Sequence, residues 1–247
     1  MICKLVDATK LHFISTNVGD CLRNFNFAQN FMLFMNQNLA HNPRVLLFDL
    51  GGVVFELGYA EAISRFSALG LMNAEKQLDA SVQTGIFGQL ERGEIGKEDF
   101  REAFSKLVGS KVTLEACSHA WLGYLKSVPH RNLETLTSLR QRGYRLCLLS
   151  NTNPFMLDYV RSDAFDGMGH SLDFYFDKLY VSCECKMMKP EPAIFQHVIA
   201  EEGINAADIL FIDDSPRNTE AAAAIGMQTL LAASVQGWIE PLQEMLL

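Results

Sequence analysis

Four apolar residues, Val45-Leu46-Leu47-Phe48, run without a polar interruption into Asp49 and the pair Gly51-Gly52. A short continuous apolar run closed by a turn signal predicts a strand buried on both faces. The design recurs downstream. Tyr144 to Leu149 runs into Ser150-Asn151-Thr152-Asn153, Ile209 to Ile212 runs into Asp213-Asp214, and Lys178 to Ser182 and Met227 to Leu231 predict two further strands. Between them the spacing turns helical. One helix is expected over 131–142 with Gly143 as its stop, one over 155–160 opened by Pro154, and one after Lys189-Pro190. This last carries Ile194, Val198 and Ile199 on one face and the proline in its first turn. Another is expected over 217–225 ending at Gly226, and one closes the chain, while Phe174 to Phe176 is an aromatic patch without an assigned element. Strands alternating with helices predict an α/β fold built on a doubly wound parallel sheet.

The stretch from Tyr59 to Val128 has a different rhythm. Ile63, Phe66 and Leu69, then Leu78, Val82 and Ile86, then Phe100, Phe104 and Leu107, and finally Leu114 to Leu125 with Trp121 and Leu122, all keep helical spacing and leave no strand pattern. An all-helical insertion over 59–128 is expected, with Gly58 and Val128-Pro129 as its hinges, set into a core of 44–58 and 129–247. Within it, Glu91-Arg92-Gly93-Glu94-Ile95 reads as a polar turn. Glu91 and Arg92 either face a ligand or form a solvated pair at a helix end; the second reading is preferred, because such pairs are common and contribute little. Residues 1–43 are asparagine-rich, with a short apolar patch at Phe31 to Met35, and read as a peripheral extension without chemistry.

Composition narrows the function. The 247 residues are 49% hydrophobic and 20% charged, ordinary values for a globular chain. A formal net charge of −8 argues against a nucleic acid or an anionic membrane as partner. Six scattered cysteines in a chain of this size are expected to be free thiols of a cytoplasmic protein. Cys183 and Cys185 have no second cysteine or histidine pair beside them, so a structural role is expected rather than a soft-metal site. No apolar run reaches the roughly 18 residues of a membrane span.

In doubly wound sheets ligands bind outside the carboxyl ends of the strands, where the strand order reverses. Asp49, Ser150, Asp213 and Asp214 all fall at expected strand ends, and Lys189 precedes a helix. Converging carboxylates repel unless a cation joins them. Mg²⁺ suits oxygen ligands and bridges readily to phosphate. A serine hydroxyl with neighbouring backbone N–H groups offers donors to phosphate oxygens, and a lysine adds a compact positive charge. Together these are the parts of phosphoryl transfer to a carboxylate nucleophile.

The segments Phe48-Asp49-Leu50-Gly51-Gly52-Val53, Leu149-Ser150-Asn151-Thr152-Asn153, Lys189-Pro190 and Phe211-Ile212-Asp213-Asp214 resemble the four motifs of the haloacid dehalogenase (HAD) superfamily, in order and across residues 45–231. The insertion between the first two resembles the branch with an α-helical cap. Asp-Leu-Gly, Ser-Asn-Thr-Asn and Glu-Arg-Gly-Glu-Ile are similar to the α-D-glucose-1-phosphate phosphatase group. The resemblance implies a Rossmann-like HAD core with a helical cap, and Asp49 as the nucleophile that becomes an aspartyl-phosphate. Ser150 and the Asn151 backbone would hold phosphoryl oxygens, with Lys189 screening charge. Asp49, Asp214, Asp213 and the Gly51 carbonyl would bind Mg²⁺, with Asn218 behind them. Gly51 departs from the superfamily's usual pattern, in which an aspartate at that position serves as general acid and base. Such catalysis typically contributes about 10²- to 10⁴-fold, a need that an anomeric leaving group would soften. The function expected is a Mg²⁺-dependent phosphatase of a small phosphorylated metabolite, a sugar phosphate being favoured, in a monomer or homodimer. A phosphometabolite-binding or regulatory protein of weak turnover is the alternative. A 2-haloacid dehalogenase is the lesser one, disfavoured by the paired acids Asp213 and Asp214.

Overall fold

The computed structural model describes residues 42–78 and 84–247; the expected N-terminal extension, its last two residues apart, and Val82 lie outside the described residues. The described residues open with β1 (Val45–Phe48) and β2 (Glu56–Leu57), then run through α1 (Tyr59–Ala68), α2 (Ala74–Gln77), α3 (Gly85–Glu91), α4 (Lys97–Val108) and α5 (Leu114–Trp121). A 3₁₀ turn, Leu122–Tyr124, leads into β3 (Leu125–Ser127). There follow α6 (His130–Gln141), β4 (Arg145–Ser150), α7 (Pro154–Val160), β5 (Lys178–Val181), α8 (Ser182–Cys185) and α9 (Pro192–Glu202). The chain closes with β6 (Ile209–Asp213), α10 (Pro216–Ala224), β7 (Gln228–Leu231) and α11 (Ile239–Met245).

The main sheet has the order β5-β4-β1-β6-β7, and every pairing in it is parallel. Helices cover both faces of such a sheet, so its strands are apolar throughout rather than alternating. All four residues of β1 are buried: Leu46 and Phe48 join a cluster with Trp238, Phe176 and Leu148, while Val45 and Leu47 join Ile194, Phe195 and Phe211 on the other face. Asn132 is buried in α6 and its amide donates to the carbonyls of Val53, Val54 and Val235, which fastens the turn after β1 to both neighbouring segments. No helix among the described residues is long and apolar enough to cross a membrane.

Three expectations are corrected. The spacing of Leu78 and Ile86 does not mark one helix: Leu78 is the C-cap of α2, and Thr84 is extended before α3. Each apolar side chain packs against the same core from a separate short helix, so periodicity survives where helical continuity does not. The stretch 59–128 is not strand-free, because Leu125–Ser127 pairs antiparallel with Glu56–Leu57 where the chain enters and leaves the helical segment. Strands of two and three residues are too short to show alternation. Finally, the first-turn proline of α9 is Pro192, not Pro190.

Candidate active site

β1 pairs with β4 on one side and β6 on the other, with Phe48 level with both Leu148 and Ile212, so three strands end side by side at the point where the winding reverses. Asp49 follows β1, its N–H donating to the Ile212 carbonyl at 2.8 Å; Ser150 ends β4 and Asp213 ends β6. Lys189 arrives from the segment before α9 and is 4% exposed. Its Nζ lies 2.8 Å from Asp49 Oδ1 and 2.7 Å from Asp213 Oδ2. Asp213 also accepts from the Ser215 N–H at 2.8 Å and from Asn218 Nδ2 at 3.0 and 3.1 Å, so Asn218 reaches the carboxylate rather than solvent. Asn151 holds the lysine segment reciprocally: its amide donates to the Lys189 carbonyl at 2.9 Å and its Oδ1 accepts the Lys189 N–H at 2.8 Å. Ser150 is buried, and the nearest acceptor for its hydroxyl is the Asn151 carbonyl at 3.5 Å, the limit of a hydrogen bond.

Oxygens of Asp49, Asp213 and Asp214 all lie within 4.8 Å of one another. Three carboxylates against one ammonium leave an excess of negative charge, with Asp49 and Asp213 buried. Burial, opposed by Lys189 and reinforced by Asp213 and Asp214, pushes Asp49 up to about 8. Burial and then Asp213 push Asp214 up to about 6. Burial works against the Lys189 ammonium, yet Asp213 and Asp49 hold its pKa above the ordinary lysine value. An all-oxygen donor set with an excess of negative charge fits a hard divalent cation such as Mg²⁺. The backbone before it is shaped to match. Gly52 has φ of +75°, and a Cβ there would lie 2.1 Å from Asp214 Oδ2, so only glycine lets the turn come this close. Gly51 lines the same site, and a Cβ on it would lie 2.9 Å from Leu57 Cδ2.

A cavity of about 470 Å³ opens over these groups. Asp49, Ser150, Lys189 and Asp214 form its floor, and Glu91, Arg92, Trp121 and Tyr124 from the helical segment also line it. The reading of Glu91 and Arg92 as a solvated pair is therefore overturned. Glu91 is buried, and burial pushes its carboxyl up to about 8. Arg92 pairs instead with Glu191 at 2.7 Å and Glu94 at 3.6 Å. The turn is docked on the core: the Ser182 hydroxyl donates to the Glu91 carbonyl at 2.6 Å, and a Cβ on Gly93 would lie 2.0 Å from the Cys183 carbonyl oxygen. The sequence marks Trp121 only by its helical spacing and Ser182 only as a strand end, and it does not mark Tyr124 at all. The two aromatics keep the i, i+3 spacing of ordinary core residues. What distinguishes them is that, among the described residues, Trp121 Nε1 and the Tyr124 hydroxyl are buried without a hydrogen-bond partner.

Residues 43–226 match the sequence model of haloacid dehalogenase-like hydrolases. The chain belongs to that family. It is 36% identical over 197 residues to a D-ribitol-5-phosphate phosphatase from Bacteroides thetaiotaomicron, a span covering 80% of this chain and 95% of that one. Its fold is similar to that of a predicted HAD-like family hydrolase from Porphyromonas gingivalis, with a TM-score of 0.78 at 38% identity over 83% of this chain and 98% of the other. A HAD family enzyme from Bacteroides thetaiotaomicron, solved in complex with magnesium and inorganic phosphate, gives a TM-score of 0.70 at 36% identity, covering 77% and 94%. In this HAD-like chain the four motif segments meet at one rim of the sheet, and the glutamate turn of the helical segment lies over them.

Proposed function

We propose that this HAD-like chain is a Mg²⁺-dependent phosphatase of a small phosphorylated metabolite, a sugar or sugar-alcohol phosphate, working through an aspartyl-phosphate on Asp49. The observation that carries the reading is the cluster of Asp49, Asp213 and Asp214, the first two of them buried, with Lys189 between Asp49 and Asp213, beside the Ser150 hydroxyl. Asp49, Asp214, Asp213 and the Gly51 carbonyl are the groups that would hold Mg²⁺. The ion, when bound, neutralises charge on the phosphoryl oxygens. The magnesium- and phosphate-bound relative and the ribitol-5-phosphate phosphatase support both cofactor and substrate class.

The remaining chemistry belongs to the protein. Asp49 attacks phosphorus in line with the departing alcohol, and its two donors, the Lys189 ammonium at 2.8 Å and the Leu50 N–H at 2.6 Å, keep the carboxylate oriented. Ser150 and the Asn151 backbone donate to phosphoryl oxygens, and Lys189 offsets charge in the pentavalent arrangement. Asn218 and the Ser215 N–H keep Asp213 in place. Residues 59–128 act as a cap that shuts water out and contacts the leaving group, with the paired β2 and β3 as its stem. A 2-haloacid dehalogenase has no use for a second and third acid beside an anionic substrate, so the cluster speaks against that alternative.

The decisive variant is Asp49→Asn, assayed with Mg²⁺ on a panel of sugar and polyol phosphates. Hydrolysis is expected to fall by more than about 10³-fold, the scale on which removing a catalytic nucleophile acts. Equal trace rates in variant and wild type, with phosphate esters still bound, would leave a binding protein as the correct reading.

A further inference from the structure

Cleaving the phosphate ester of an alcohol leaves an oxygen that needs a proton, and Gly51 carries no side chain to give one. Leu57 already fills the adjoining space, 2.9 Å from where a Cβ would start. The other groups on the floor are committed. Asp49 is the nucleophile, Lys189 bridges it to Asp213, Asp213 accepts from Asn218 and Ser215, and Asp214 stands in the cation cluster against Gly52. Glu191, which also lines the cavity, is paired with Arg92 at 2.7 Å, so a proton donor has to come from the opposite wall.

Among the described residues that wall holds one acid. Glu91 is the last residue of α3, lines the cavity with Asp49, and its carboxyl has no hydrogen bond or ion pair among the described residues. Resting on the phosphatase reading, we propose that Glu91 is the general acid and base of this enzyme, protonating the departing alcohol oxygen and then deprotonating the attacking water. Its backbone is fixed over the phosphate loop. The Ser182 hydroxyl donates to the Glu91 carbonyl at 2.6 Å, lies 3.0 Å from the Thr152 carbonyl, and accepts the Thr152 N–H at 2.9 Å, two residues from Ser150. Gly93 abuts Cys183, and Arg92 is held by Glu191, two residues from Lys189. Each residue of Glu91-Arg92-Gly93 thus makes its own contact with the core.

The environment suits the task. Burial keeps the Glu91 proton on near neutrality, its pKa pushed up to about 8. Tyr124 is no rival: burial first, then Glu91 and Tyr59, hold its hydroxyl above the ordinary tyrosine range. Among the described residues the Tyr124 O–H and Trp121 Nε1 are buried without a hydrogen-bond partner, on two residues that line the same cavity. In the first step an Asp49 oxygen bonds to phosphorus, the bond to the alcohol oxygen breaks, and that oxygen takes the Glu91 proton. In the second, water attacks phosphorus and gives its proton to the Glu91 carboxylate. The phosphorus bond to Asp49 breaks, its electron pair returns to the carboxylate, and inorganic phosphate leaves.

The test compares kcat/KM for D-ribitol 5-phosphate and for p-nitrophenyl phosphate, whose leaving group departs without a proton, in wild type and Glu91→Gln with Mg²⁺ present. Because kcat/KM reports the step in which the alcohol leaves, the variant is expected to lose about 10²- to 10⁴-fold on the ribitol ester and less than about threefold on the nitrophenyl ester. Retained nitrophenyl turnover also reports that the variant is folded. Equal losses on both esters, or none on either, would overturn the assignment. A wild-type protein inert toward every phosphate ester would overturn the phosphatase reading beneath it.

Discussion

At the scale of single residues, the site depends on backbone approaches that side chains would block. Gly52 is the sharpest case, since its φ of +75° strains any residue with a Cβ and a hypothetical Cβ would lie 2.1 Å from Asp214 Oδ2, so the carboxylate would have to move. Alanine there has two effects. The left-handed conformation costs of the order of 1–3 kcal/mol for a residue with a Cβ, and the methyl group drives the Asp214 carboxylate out of the cluster. Gly52→Ala is therefore expected to lower stability by about 1–3 kcal/mol in a denaturant titration. The rate at saturating Mg²⁺ should drop on the order of 10²-fold, the scale on which an ångström of misplacement acts. A variant with wild-type Mg²⁺ dependence would show that Asp214 does not need this approach.

At the scale of elements, the segment between α7 and β5 shows a buried acid serving structure instead of chemistry. Asp166 has a fully buried carboxylate that accepts from the Met168 N–H at 2.7 Å, the His170 N–H at 3.0 Å and the Tyr175 hydroxyl at 2.7 Å, with His170 Nδ1 at 2.8 Å. Burial opposes ionisation, but the hydrogen bonds, that of Tyr175 foremost, hold the carboxyl well below the usual carboxylate range. A folded-state pKa below the unfolded value of about 3.9 gives stability that is present above pH 4 and lost as pH falls further. Asp166→Asn is expected to be less stable than wild type at pH 7 by about 1.5–3 kcal/mol. The gap should narrow progressively below pH 4 in acid-denaturation curves. A gap independent of pH would assign the loss to packing. The comparison with Glu91 explains what the sequence could reveal. The strands were legible because burial on both faces leaves contiguous apolar runs such as Val45 to Phe48, and Asp49, Ser150 and Asp213 were legible because they end those runs. Lys189 sits in no strand, and only its motif pointed to it. Glu91 was legible as a residue that could face a ligand, but its burial and that of Asp166 were not, because both arise from contacts that local pattern does not encode. For Glu91 the partner is Ser182, 91 positions away along the chain.

At the scale of the whole molecule, the metal cluster links folding to cofactor. The three acids come from the turn after β1 and the end of β6, and Lys189 from the segment before α9; they meet only when the sheet is assembled. An unfolded chain cannot gather them, so on the proposed function Mg²⁺ is expected to bind the folded state alone and to stabilise it by mass action. At a free concentration a hundredfold above its Kd the ion contributes about 2.7 kcal/mol. For a domain of this size each kcal/mol moves Tm by roughly 2–4 °C, so the expected rise is on the order of 5–10 °C. Ca²⁺ at equal concentration need not reproduce the shift, because Mg²⁺ demands a tighter octahedral oxygen shell. Asp214→Asn removes one charged ligand and eases the repulsion on Asp49 and Asp213. That variant is expected to melt near or above the metal-free wild type and to show no more than a small Mg²⁺ shift. Scanning calorimetry of both proteins with EDTA and with a Mg²⁺ series reads the two effects together. A full-sized shift in the variant would put the stabilising ion somewhere other than the rim of this sheet.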